Sequence, residues 1–229
     1  MKVISLGYTC YIKGIIQETD YAKETDIFDW INSFEFNKII KSIDNKFNIF
    51  DNIIKSPLDY DLNSYNVYFN EDYSFRIPHE INLDNSRKTY TKRFERFINY
   101  KNDSNNYIFI REINRGRYNI KEECLESNYN EENYSKIMSY LPTNSKILLI
   151  TNEKLSDDDK IKISKLFYVI DDIISPDHIG YGDFLQHKKH IIKCYNNMFN
   201  YICNNFDNFD IKIAYDFIKK HSSNSIIFT

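Results

Sequence analysis

The chain has 229 residues, 42% of them hydrophobic and 28% charged, with a formal net charge of −3 and a pI near 6.0. That balance suits a globular fold with a sizeable core and argues against global disorder. It gives no reason to expect a nucleic-acid or anionic-membrane partner, and no segment approaches the roughly 18 apolar residues of a membrane span.

The apolar run Val3–Leu6 is too short for a secretory core. The cysteines, at 10, 124, 194 and 203, form no CxxC pair. A reduced, cytoplasmic setting (the host cytoplasm for a viral chain) therefore fits better than a disulfide scaffold.

In chain order, Lys2–Leu6 reads as a short buried strand stopped by Gly7. Thr9 is placed to cap a helix running through Ile12, Ile15 and Ile16. Residues 26–34 read as an aromatic-rich loop, followed by a helix with Phe36, Ile39, Ile40 and Ile43 on one face. A hairpin is expected from Tyr65–Phe69 and Tyr73–Ile77, with its turn at 70–72 and Pro78 ending it just before His79. A helix over 86–101 carries Tyr90, Phe94, Phe97 and Ile98 inward.

Beyond it, strands at 106–111, 146–151 and 166–170 alternate with helices at 131–141 and 156–165. Helices at 186–203 and 211–220 close the chain. Strands joined through helices imply right-handed crossovers and a mainly parallel sheet. The expected architecture is a single α/β domain over 1–229, a Rossmann-like three-layer sheet with a hairpin insertion carrying His79 and a C-terminal helical tail.

Chemistry is expected beyond the carboxyl ends of the parallel strands, where such sheets bind ligands. The first strand delivers Gly7, Tyr8, Thr9 and Cys10 there. A cysteine in the first turn of a helix faces unpaired N–H groups and the positive end of the dipole, which favour thiolate. Simple packing of a small buried thiol accounts for the pattern equally well.

A thiol nucleophile needs a base, and His79, on a loop after a strand and beside Glu80, is the best placed histidine. Asp29 lies between Phe28 and Trp30, where a carboxylate must be paired; it can orient a histidine, cap the next helix or bind backbone amides. Arg111, at the end of Tyr107–Glu112, suits either a substrate anion or a structural pairing with Asp29 or Glu112. His187 and His190, with Asp177 or His178, have metal-ligand spacing, but Lys188 and Lys189 interleave and a solvated helix face is preferred. No metal or cofactor is expected.

Ser5-Leu6-Gly7 with Cys10, Phe28-Asp29-Trp30-Ile31, the hairpin ending at His79 and Ile108-Phe109-Ile110-Arg111 occur in one order. Together they resemble a bacterial and viral family of otherwise uncharacterised domains known as putative papain-like cysteine peptidases. The resemblance covers a core of about residues 3–151, leaving a strand and helix portion over 152–229. It marks Gly7, Cys10, Phe28, Asp29, Trp30, His79 and Arg111, and the basic segment Arg87–Arg96 also fits. Ile27 replaces the family's usual proline, and Glu80 replaces an aspartate beside the histidine.

The resemblance implies a thiol hydrolase or peptidase with Cys10 as nucleophile, His79 as base and Asp29 as third member. Gly7, Tyr8, Thr9, Trp30 and Arg111 would line the substrate site, which would take a peptide or small molecule. The alternative is an α/β domain that binds or transfers an anionic sugar or nucleotide derivative through the Gly7–Cys10 loop and Arg111. A third possibility is an interaction protein presenting some of its 19 Tyr and 17 Phe residues. The sequence does not indicate an oligomeric state.

Overall fold

The computed structural model describes residues 1–8, 10–21, 24–55, 68–77, 82–113, 128–173 and 181–224, with the backbone alone at 10–11, 55, 181–187 and 220–224. The sheet expected from the strand–helix alternation is present and entirely parallel. Its strands are β1 (Lys2–Ser5), β6 (Tyr107–Ile113), β7 (Ser145–Thr151) and β8 (Tyr168–Ile170), in the order β1-β6-β7-β8. All seven residues of β6 are buried, because helices and loops cover both faces of this inner strand.

Around this sheet stand α1 (Cys10–Ile16), α2 (Phe36–Asp44), α3 (Leu83–Asn99), α4 (Glu131–Met138), α5 (Asp157–Ser164), α6 (Tyr181–Asn204) and α7 (Ile211–Asn224). Asn82, Asn130 and Ser156 cap α3, α4 and α5, their side-chain oxygens each accepting a backbone N–H three residues on. In α2, Phe36, Ile39, Ile40 and Ile43 are buried at the spacing the sequence showed.

The hairpin is part of something larger. β4 (Tyr68–Asn70) and β5 (Phe75–Ile77) pair about a turn at 71–74, and β3 (Ile53–Lys55) and β2 (Asn32–Ser33) extend them into an antiparallel sheet ordered β2-β5-β4-β3. Thus Asn32 and Ser33 form an edge strand. The residue before α2 is Glu35, whose side chain makes no cap bond.

The cores divide by face. One contains Phe28, Phe36, Phe47, Phe75, Phe97 and Phe109, and joins the antiparallel sheet, α2, α3, α4 and α5 to the parallel sheet. The other joins Ile108, Ile110, Leu148 and Ile150 to Ile12, Ile15 and Ile16 of α1, and to Tyr195, Phe199 and Ile218 of α6 and α7. No helix among the described residues is long and apolar enough to cross a membrane.

Candidate functional site

β1 and β6 are neighbours, and helices that follow them in the chain pack on opposite faces. After β1 the chain enters α1 on the face shared with α6 and α7, whereas Ile137 of α4, the first described helix after β6, belongs to the other face. Open α/β sheets bind ligands beyond the carboxyl ends of their strands, and Gly7, Tyr8 and the backbone of Cys10 follow the carboxyl end of β1.

The turn is held tightly. Gly7 has φ +77° and Tyr8 has φ +91°, both in the left-handed region. Gly7 N–H donates to Ser5 Oγ at 2.9 Å, and Tyr8 N–H donates to Ser33 Oγ at 3.0 Å. A Cβ added at Gly7 would lie 2.3 Å from Ser33 Oγ, so glycine is required both by conformation and by the approach of β2.

Arg111 is fully buried beneath this turn. One guanidinium nitrogen donates to Ser33 Oγ at 2.8 Å and to the Leu6 carbonyl at 3.2 Å, and Nε donates to Tyr129 Oη at 3.2 Å. Its guanidinium carbon lies 5.1 Å from the centre of the Tyr8 ring. Ser33 therefore links β2, the Gly7 turn and β6. Because β2 pairs with β5 through Ser33↔Phe75, the same residue also connects the turn to the strand that ends two residues before His79.

Asp29 sits elsewhere in the network. It is 1% exposed, and its Oδ2 lies 2.8 Å from Nζ of Lys13, which is itself buried and donates to the Glu24 carbonyl at 2.7 Å. Asp26 N–H also donates to Asp29 Oδ2. Burial pushes the Asp29 carboxyl up, and the ammonium of Lys13 pulls it back. Asp29 thus pins α1, the helix that Cys10 begins, rather than capping α2.

Its neighbour Asp26 is raised to about 6, first by burial and then by the charge of Asp29, against the stabilising bond from Tyr100 Oη at 2.8 Å. Arg96 completes the cluster, 3.7 Å from Asp26 and 3.3 Å from Glu24.

The structure therefore brings Gly7, Tyr8 and Arg111 together, with Asp29 tied to α1 through Lys13. Trp30 is half-buried in the turn between Asp29 and β2. Thr9, His79 and Glu80 lie outside the described residues, as do Asp177 and His178, and the side chains of Cys10 and His187 are likewise not described. Cys194 Sγ lies 3.7 Å from Nε2 of His190, one helical turn away on α6. No group of three or more His, Cys, Asp or Glu residues able to hold a metal occurs among the described residues.

Sequence reasoning missed Ser33 and Lys13. The signal for Lys13 was its position one residue after Ile12 and two before Ile15, on a helix with little room for a polar face. Ser33 carried none, since its role comes entirely from long-range contacts.

A parallel four-stranded sheet with helices on both faces and a four-stranded antiparallel sheet beside it defines the class as an α/β domain. Residues 1–153 match the family described as putative papain-like cysteine peptidase (DUF1796), and the chain belongs to that family. No curated protein and no solved structure matches the chain.

Proposed function

We propose that the protein is a thiol-dependent hydrolase or acyl-transfer enzyme acting at Cys10. The observation that carries this reading is the position of the Gly7–Tyr8 turn. It places the start of α1 directly beyond the carboxyl end of β1, and the N–H groups and dipole of a helix's first turn favour a thiolate.

In the reaction, the Cys10 thiol gives its proton to His79 and the sulfur attacks a substrate carbonyl carbon. The carbonyl π-electrons move to oxygen, and backbone N–H groups of residues 8–10 receive the oxyanion. Collapse breaks the bond to the leaving group, which takes the proton from the imidazolium. Water or another acceptor then cleaves the thioester and restores the thiol. Asp29 serves by holding Lys13 and α1, which leaves Glu80 as the carboxylate that orients the imidazole.

The anionic-ligand alternative is disfavoured by Arg111, whose guanidinium is 0% exposed and already engages Leu6, Ser33, Tyr129 and the Tyr8 ring. The test is labelling with an electrophilic acyl probe, read cysteine by cysteine. Wild type should be labelled at Cys10, and Cys10→Ala should lose that label while Cys194 and Cys203 react as before. Equal total labelling of both proteins would sink the reading.

A further inference from the structure

A second concavity lies at the opposite end of β1 from the Gly7 turn. It has a volume of about 320 Å³ and is bordered by Lys2 at the start of β1, by Tyr21 and Glu24 beyond α1, and by Tyr100 at the end of α3. Small-molecule pockets begin at about that size, roughly 300 Å³. The bond from Val3 N–H to the Tyr21 carbonyl, at 3.3 Å, holds this wall to the free edge of β1.

Three carboxylates border the cavity, those of Asp20, Glu24 and Asp26. Asp26 is the informative one. It is only 5% exposed, so bulk water does not neutralise it. Its Oδ1 accepts from Tyr100 Oη at 2.8 Å and lies 3.7 Å from Arg96 Nε, while its Oδ2 receives no hydrogen bond among the described residues. The neighbouring cations have other partners. Arg96 is shared with Glu24 at 3.3 Å, Lys13 meets Asp29 at 2.8 Å, and Lys2 is held by Asp103 at 3.1 Å and Tyr107 at 3.2 Å. A buried carboxylate beside a cavity therefore has an acceptor to spare.

The carboxylates are too far apart for a metal ion, since no group of three or more His, Cys, Asp or Glu residues able to hold one occurs among the described residues. Their spacing suits a larger, organic cation. Tyr21 and Tyr100 supply rings of the kind that attract ammonium groups, and Tyr100 already does so, with Lys2 Nζ 5.3 Å from its centre.

From this arrangement we infer that the cavity is a binding site for a primary ammonium group on a short apolar chain, the N–H groups donating to Asp26 Oδ2 and the chain lying against the tyrosines. Burial, then the charge of Asp29, pushes the Asp26 carboxyl up to about 6; an ammonium at Oδ2 acts in the opposite sense.

A free amine and a lysine side chain of a peptide carry the same group, and two probes separate them: butylammonium and N-acetyl-lysine methylamide. The experiment is a ligand-observed NMR titration of the full chain with each at neutral pH. Wild type should saturate with butylammonium and show no saturable binding of butanol, its neutral counterpart. Asp26→Asn keeps an acceptor for Tyr100 and should weaken binding about tenfold or more. Asp207→Asn, at an exposed carboxylate elsewhere, should leave it unchanged. The exposed Glu24→Gln should weaken it about twofold or more, an outcome that does not depend on how Asp26→Asn folds. Binding of the lysine derivative assigns a peptide-borne ammonium, and binding of butylammonium alone assigns a free amine. Failure of wild type to saturate with either probe overturns the site, as does unchanged affinity in folded Asp26→Asn or in Glu24→Gln. Equal weakening by Asp207→Asn overturns it too, by showing attraction to net charge alone. No step uses Cys10, so the ammonium site and the thiol chemistry stand or fall separately.

Discussion

Two buried cations hold the start of α1 from different directions, and they are neutralised in different ways. Lys13 meets a carboxylate, Asp29, at 2.8 Å, in a pair that is almost wholly sealed from water. The contacts described for Arg111 are to a backbone carbonyl, two hydroxyls and an aromatic ring. The first is a charge pair, which apolar side chains of similar volume can replace at little net cost. The second is a fork whose Nε and one terminal nitrogen reach different partners, and neither charge alone nor volume alone reproduces it.

The largest effect should come from breaking the charge pair on one side. Asp29→Ala leaves Lys13 buried without its counter-ion and should cost about 3–5 kcal/mol in denaturant melts. Replacing both members, as Lys13→Met with Asp29→Leu, should recover most of that loss; a double variant as unstable as Asp29→Ala would contradict the comparison. Next, Arg111→Lys keeps the charge but loses the planar fork, and about 2–3 kcal/mol should be lost. Full retention of stability would show that charge is what matters there.

Gly7→Ala should cost about 2 kcal/mol, from the left-handed φ and from the approach of Ser33 Oγ. In thermal melts the added mutation Ser33→Ala should relieve the steric part but lose the bonds from Tyr8 N–H and Arg111, so the double variant should be no more stable than Gly7→Ala.

Asp26 gives a smaller effect of opposite sign. Its carboxyl is raised from 3.8 to about 6 in the folded protein, so the native state binds the proton more tightly than the unfolded chain does. The resulting penalty is absent below pH 3.8 and complete above about pH 6, so this group's share of stability falls as pH rises between them. A shift of that size has a ceiling of about 3 kcal/mol. Asp26→Asn, whose Oδ1 can still accept from Tyr100, should stabilise by about 1–2 kcal/mol at pH 7, with the gain closing by pH 4. A pH-independent difference would refute the assignment. Smallest of all, Ile213→Ser, at an exposed position on α7, should change stability by less than about 0.5 kcal/mol.

Much of this was legible where periodicity and punctuation agree. The Lys2–Leu6 strand, Gly7 and the following helix were readable because a buried run, a glycine and a 3.6-residue pattern succeed one another. Tyr107–Ile113 was readable as a strand because a parallel strand covered on both faces needs a continuous apolar run. β2 and β3, of two and three residues, were not readable, since neither is long enough to show alternation and both depend on partners in β4 and β5. The roles of Asp29 and Arg111 were only half legible. Sequence shows that a charge is buried, but the partner that neutralises it is chosen by packing, and Asp29 took Lys13 rather than Arg111.

The stretch that matches the family ends at residue 153, whereas α6 and α7, which cover half the parallel sheet, begin at Tyr181. A truncation at the family boundary would strip Tyr195, Met198, Phe199, Ile202 and Ile218 from Ile108, Ile110, Leu148 and Ile150, and would delete β8 as well. The inherited signature and the smallest expressible fragment are therefore different lengths of polypeptide. The candidate site residues lie in the first part of the chain, and the helices that cover one face of their sheet lie in the last.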